Sequence, residues 1–143
     1  MPGYYSLLDS KDSRAFGIND WGQVVGINRE TDRAFVFDSI NYTITNLGTL
    51  PGGDYSAAYA INNQGQIVGV SNSSSGSRAF IYENGTMQDM GVSYTGNPES
   101  RVGIDINNLG QAVVTSAEGE PFVYQDGVVT KLKGLILWLS QSI

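Results

Sequence analysis

Carboxylates are the main groups in this sequence that could support catalysis, because the chain contains no histidine and no cysteine. Their absence excludes Ser–His–Asp triads, Cys–His nucleophiles, histidine general bases and the usual zinc sites. A glycosidase-type mechanism needs two carboxylates about 5–10 Å apart. The candidates are Asp89, Asp105, Glu118 and Glu120. The sequence gives no way to place two of them within that distance, so we assign no catalytic residue and predict a protein that is not an enzyme.

Three pairs of Asn and Asp residues recur along the chain and raise the question of a metal site. They lie at positions 19–20, 62–63 and 107–108, and only Asp20 among them is charged. A calcium ion needs about six to eight oxygen ligands, usually with several carboxylates. Asn and Asp also favour tight turns, because their side chains bond to the local backbone. We interpret the pairs as turns and expect no metal and no cofactor.

Three aromatic residues are candidates for ligand binding. Trp21 follows the first of these pairs, where Gln64 and Leu109 follow the other two. An exposed indole at a turn can stack on a sugar ring or anchor a partner. Tyr55 and Tyr94 lie in loops and would extend the same surface. Isolated surface aromatics are common, so an aromatic without a ligand is the alternative.

Asp105 is the fourth candidate for ligand binding. The corresponding positions earlier in the chain hold the small residues Gly17 and Ala60. A carboxylate at a closely packed site lowers stability unless it is paired. Asp105 therefore marks either a polar functional centre or a face that is solvated in this part of the fold.

The composition limits the classes of partner. The 143 residues carry a formal net charge of −6, from 14 acidic and 8 basic side chains. Binding to nucleic acid or to an anionic membrane surface requires a dense Lys/Arg patch, so neither is expected. The N-terminal segment lacks the basic and apolar regions of a signal peptide. No segment approaches the ~20 apolar residues of a membrane-spanning helix.

Three tandem repeats organise the sequence. A first motif reads AFGINDWGQVVG, AYAINNQGQIVG and GIDINNLGQAVV, starting at Ala15, Ala58 and Gly103. A second motif, RAFVF, RAFIY or EPFVY, follows each copy after a polar loop. The repeat length is about 43 residues, within the range of propeller blades. We predict one repeat domain over residues 1–143, with units over residues 15–48, 58–91 and 103–133.

Each unit is predicted to fold into four antiparallel strands. In the second unit, side chains of alternating size over Ala58–Ile61 indicate a strand, and an Asn-Asn-Gln-Gly turn follows. Further strands are predicted over Gln66–Ser71, Arg78–Tyr82 and Thr86–Met90. Such units are typical of propeller blades. We predict an all-β fold of three propeller-blade-like repeats, with a β-trefoil-like fold as the alternative because twelve strands in three units also fit it.

Six aromatic side chains occupy equivalent positions in the third strand of the three units. We expect them to form the core, because each aromatic ring can bury about 150–250 Å². They are Phe35, Phe37, Phe80, Tyr82, Phe122 and Tyr124.

At these motifs the sequence resembles the HAF repeat family of bacterial extracellular repeat proteins. The matching patterns are A-x-x-I-N-x-x-G-Q-[VI]-V-G, [RE]-[AP]-F-[VI]-[FY] and the LGTLPGG linker at Leu47–Gly53. The histidine that names the family is replaced by Arg33, Arg78 and Glu120, so no role of that imidazole transfers. The resemblance implies an extracellular or cell-surface location and a propeller-like fold, with no established catalytic activity.

The two ends of the chain are predicted to mediate self-association. Residues 4–8 resemble an extra N-terminal strand, and residues 134–143 form an apolar tail. An apolar segment at an exposed sheet edge must pack on its own core or on another chain. The predicted self-association residues are Tyr4, Tyr5, Leu7, Leu135, Ile136, Leu137, Trp138 and Leu139. Closure within one chain is the alternative.

Three functional hypotheses follow. The first is a non-enzymatic extracellular repeat module that forms homo-oligomers or filaments and presents loops for binding, with carbohydrate as the expected ligand class. The second is an enzyme of polysaccharides that uses only carboxylates. The third is a structural protomer without a ligand.

Overall fold

The structure contains twelve strands in three separate sheets. The computed structural model describes residues 12–94 and 103–132. The first sheet has strands β1 (Ser13–Ile18), β2 (Gln23–Asn28), β3 (Arg33–Asp38) and β4 (Thr43–Gly48). The second has β5 (Ser56–Ile61), β6 (Ile67–Ser71), β7 (Arg78–Glu83) and β8 (Thr86–Ser93). The third has β9 (Ile104–Ile106), β10 (Ala112–Thr115), β11 (Pro121–Gln125) and β12 (Val128–Lys131).

The strands of each sheet pair in chain order and antiparallel, which confirms the predicted fold of three four-stranded, blade-like repeats. In the described part of the chain the strands form no closed barrel, so the trefoil alternative does not apply. No helix there is long and apolar enough for a membrane crossing.

Two-residue turns join the last two strands of the second and third sheets. Asn84 and Gly85 have φ values of 54° and 76°, and Asp126 and Gly127 have values of 50° and 84°. Two consecutive residues with positive φ are characteristic of a type I′ turn, whose twist matches that of the flanking strands. Asn, Asp and Gly tolerate this backbone best, so the sequence sets these hairpins locally.

The first sheet packs one face against the second sheet. Alternate side chains of β2 and β3, among them Val25 and Ala34, share a hydrophobic cluster with Ile67 and Phe80 of the second sheet. Val25, Ala34 and Phe80 are fully buried. The sheets therefore stack face to face in chain order.

The second sheet packs its other face against the third. Val68 and Ile81 lie in one cluster with Ala112, Val114 and Tyr124 of the third sheet. Because adjacent residues of a strand point to opposite faces, Ile67 and Val68 contact different sheets. The second sheet is thus covered on both faces, which explains why all five residues of β6 are buried.

The six aromatic residues predicted to form the core are all buried or half-buried. The buried ones are Phe35, Phe80 and Tyr124, and the half-buried ones are Phe37, Tyr82 and Phe122.

A β-bulge explains why the third repeat has a valine where the first two repeats have a glycine. The pairing of β5 with β6 shifts between Ala58 and Ala60, so β5 carries one extra residue there. Across from the bulge, a Cβ at Gly69 would lie 2.0 Å from the Ala57 carbonyl oxygen. Strand β9 has no bulge against β10, where Val114 pairs with Ile104 in regular register. A side chain therefore fits at Val114.

Two buried serines fasten the linker between the first two sheets. The Ser56 hydroxyl donates to the Gly48 carbonyl at 2.6 Å and accepts the Ala34 N–H at 2.8 Å. The Ser71 hydroxyl accepts the Leu50 N–H at 2.9 Å. Buried polar groups need such partners, so these bonds fix where the second sheet begins relative to the first.

The residues predicted to mediate self-association lie outside the described residues. They are Tyr4, Tyr5, Leu7, Leu135, Ile136, Leu137, Trp138 and Leu139.

Candidate functional site

The turn between the first two strands of each repeat is held by one Asn side chain. Asn62 Oδ1 accepts the backbone N–H groups of Gln64 at 3.1 Å and Gln66 at 2.8 Å, and its Nδ2 donates to Gln66 Oε1 at 2.7 Å. Asn19 and Asn107 make the same contacts in their own turns. These bonds confirm that the Asn pairs form turns.

The three turns are also bonded to one another. Asn19 Nδ2 donates to the Asn62 carbonyl, and Asn62 Nδ2 donates to the Asn107 carbonyl, both at 3.0 Å. A second set runs beside the first. The Asp20 N–H donates to Asn63 Oδ1 at 2.9 Å, and the Asn63 N–H donates to Asn108 Oδ1 at 2.8 Å. We call these inter-turn bonds the turn ladder.

Trp21 lies on this ladder with its ring exposed. The side chain is 62% exposed, and its Nε1 donates to the Asn63 carbonyl at 3.0 Å. The hydrogen bond holds one edge of the indole while the rest of the ring remains accessible. A positioned, exposed indole is suited to stacking on an apolar sugar face, because the ring is already oriented before the ligand arrives.

The two tyrosines predicted to extend this surface are less accessible than Trp21. Tyr94 is 3% exposed and packs in the hydrophobic core. Tyr55 is half-buried, and burial raises the pKa of its phenol, while Arg29 opposes and Asp32 adds to this rise. The structure therefore does not place the tyrosines beside Trp21 as exposed rings, and ligand binding at these residues stays a prediction.

Asp105 is exposed on β9, and its carboxylate accepts the Ile106 N–H at 2.9 Å. It lines an open depression together with Asn107, Gln111, Val113 and Val123. This position matches the interpretation of a solvated face, because the third sheet has no further sheet over it among the described residues.

Two of the other carboxylates considered for catalysis form ion pairs. Asp89 Oδ2 lies 3.2 Å from Arg78 Nε, and Glu120 pairs with Lys131. Among residues 12–94 and 103–132 no group of three or more acidic side chains is arranged to hold a metal ion. What the carboxylates do chemically beyond these pairs stays a prediction.

The sequence interpretation missed the two outer faces of the stack, which we call the open faces because each carries exposed apolar side chains among the described residues. Val25 and Val68 occupy equivalent positions and are each 0% exposed, whereas their counterpart Val113 is 45% exposed. At the other end of the stack, Ile18 is 67% exposed, whereas its counterpart Ile61 is 8% exposed. The sequence did contain a signal for these faces. Apolar residues recur at equivalent positions in the repeats, and each of them needs a neighbouring surface that covers it.

Val113 belongs to what we call the trailing face, which includes Val123 and the exposed Val128 on the outer side of the third sheet. Ile18 belongs to the leading face of the first sheet, which also carries the half-buried Val24 and the buried Phe35, so this face is exposed at its Ile18 end. In the internal junctions, a face of the trailing type always packs on a face of the leading type. The two open faces are therefore of complementary types.

Stacked blade-like sheets with two open faces define an all-β repeat protein. The chain belongs to the DUF3466 family, described as proteins of unknown function, whose family model matches residues 7–93. The match spans the first two sheets. No curated protein and no solved structure matches the chain significantly. The resemblance to the HAF repeat family stays a prediction.

Proposed function

We propose that this chain is a non-enzymatic, extracellular repeat module that associates with copies of itself, head to tail, and presents its turns for binding. The observation that carries the proposal is the pair of complementary open faces at Ile18 and Val113. Burying apolar surface is favourable by about 25 cal/mol per Å². A contact between two different faces of identical chains is heterologous, and it either closes a ring or continues as a filament.

Solution mass tests this proposal. Light scattering after size exclusion should show a mass that rises above that of the 15.4 kDa chain as concentration increases. Val113→Lys and Ile18→Lys should each weaken association, because each places a charge within one face. Ser75→Lys adds the same charge in the exposed β6–β7 loop and should leave association unchanged.

A mixing experiment separates a head-to-tail contact from a symmetric one. Val113→Lys leaves the leading face intact, and Ile18→Lys leaves the trailing face intact. A mixture of the two variants should therefore form a one-to-one complex although each variant alone is monomeric. If the mixture stays monomeric while the wild-type chain associates, the faces do not pair head to tail. A wild-type chain that remains a monomer at every concentration contradicts the proposal.

Carbohydrate binding through Trp21 is a second candidate function. The supporting observation is the indole held by Asn63 with most of its surface exposed. A glycan array and titration calorimetry would test it, with Trp21→Ala against Leu109→Ala, an exposed residue at the equivalent position of the third turn. Binding that is lost only in Trp21→Ala supports the site, and equal binding by both variants contradicts it.

A further inference from the structure

We propose that the turn ladder continues from one copy of the chain into the next. In this arrangement Asn107 Nδ2 of one copy donates to the Asn19 carbonyl of a second copy, and the Asn108 N–H donates to the Asp20 carboxylate. The inference rests on the proposed self-association. It adds the polar contacts that set the direction and register of the contact between copies.

The donor end of the ladder is at the third turn. An Asn side-chain amide has two N–H donors. Asn19 and Asn62 each use one within their own turn and one on the carbonyl of the following turn. Asn107 Nδ2 donates only the bond within its turn, to Gln111 Oε1 at 2.9 Å, among the described residues. The Asn108 N–H likewise has no acceptor in this part of the chain, whereas the Asn63 N–H has one.

The acceptor end of the ladder is at the first turn. The Asn62 carbonyl accepts two bonds, one from Gly65 in its own turn and one from Asn19 in the preceding turn. The Asn19 carbonyl accepts only the bond from Gly22 among the described residues. A carbonyl oxygen has two lone pairs, so it can accept a second bond.

Asp20 gives the acceptor end a charge that the other turns lack. Its Oδ2 accepts from Asn63 Nδ2 at 2.8 Å, which leaves Oδ1 as an acceptor. The equivalent residues in the second and third turns are the neutral Asn63 and Asn108. A carboxylate accepts a stronger hydrogen bond than an amide oxygen and cannot donate. Asp20 Oδ1 therefore fits a position that accepts an N–H from another copy.

Each end of the turn ladder lies beside one of the two open apolar faces. Ile18 directly precedes Asn19, and Val113 lies six residues after Asn107 on the next strand. In both internal junctions the ladder bonds and the apolar clusters occur together between the same two sheets. A second copy that covers Val113 with its leading face would thus bring its Asn19 turn to Asn107, in continuity with the contacts already present within the chain.

The test compares two identical substitutions at different steps of the ladder. Asn107→Asp keeps the oxygen that accepts the Leu109 and Gln111 N–H groups and removes the Nδ2 donor, together with its bond to Gln111 Oε1. We expect self-association about tenfold weaker, as for the loss of one buried hydrogen bond. Asn62→Asp is the matched control, because it removes the same bond inside the chain. It should lower the urea midpoint and leave self-association within about twofold of wild type. Asp20→Ala probes the acceptor end and should also weaken association.

Three outcomes decide between the two proposals. Weaker association of Asn107→Asp and Asp20→Ala, with retained strand circular dichroism, supports the ladder. If both variants associate as the wild-type chain does while Val113→Lys is monomeric, the ladder is wrong and head-to-tail association stands. If the wild-type chain is itself monomeric, the proposed function fails and the ladder between copies fails with it.

Discussion

Truncating Phe80 should destabilise the fold more than any exposed aromatic substitution. The side chain is 0% exposed and lies in the cluster between the first and second sheets. Its ring packs against Gly69, where an added Cβ would lie 2.8 Å from the ring atoms Cε2 and Cζ. Backbone on that side leaves little room for collapse into the cavity. We therefore expect Phe80→Ala to lower the free energy of unfolding by about 4–5 kcal/mol, the upper part of the range for buried phenylalanine.

Trp21→Ala is the comparison for Phe80→Ala, because it also removes an aromatic ring. Its ring is mostly exposed and its one bond, to the Asn63 carbonyl, is at the surface. The expected loss is about 1 kcal/mol or less. Urea unfolding followed by far-ultraviolet circular dichroism measures both variants. With a slope of about 1–3 kcal/mol per M, the Phe80→Ala midpoint should fall by roughly 1.3–5 M. Equal midpoints for the two variants would refute the assignment of the core face.

Further predictions address the bulge, one turn, the secondary structure and the tail. Gly69→Ala should lower the urea midpoint, since its Cβ would lie 2.0 Å from the Ala57 oxygen, and a wild-type midpoint would contradict the bulge. Titration by NMR should find the pKa of Asp38 below 3.8, because the N–H groups of Asn41 and Ile40 bond to its carboxylate. The stabilisation from these two hydrogen bonds is present above the ordinary pKa of Asp38 and is lost as the pH falls through its lowered pKa. A measured pKa at or above 3.8 would contradict this prediction. Circular dichroism should show strands and almost no helix, against the roughly 30% helix of typical globular proteins. Deleting residues 134–143 should weaken self-association, and an unchanged oligomer mass would refute a role of the tail.

The repeat sequence was sufficient to predict the local structure. Strands with alternating side chains and turns that contain Asn are encoded within a few residues. The predicted strands of the second unit therefore begin and end within three residues of the observed ones. The prediction missed the bulge in β5, because alternation over Ala58–Ile61 looks regular in the sequence. The glycine across from the bulge was the available signal, since it is the residue that lets the Ala57 carbonyl approach.

The candidate site could be predicted only in part. Trp21 was expected at an exposed turn and is found there, because the turn itself is local. Tyr94 was expected in an exposed loop and is buried, because its environment depends on a neighbouring part of the fold. The bonds from Asn19 to Asn62 join residues 43 positions apart. Nothing within one repeat indicates that contact.

The sequence by itself determined the number of repeats, the four strands in each and the turns between them. Short-range hydrogen bonding and side-chain alternation are sufficient for those features. Only the tertiary structure decided which face of each sheet is covered. Val25, Val68 and Val113 are the same residue in the same motif, yet only the first two are buried. The difference arises because burial depends on the presence of a next sheet, and the third sheet has none in the described chain.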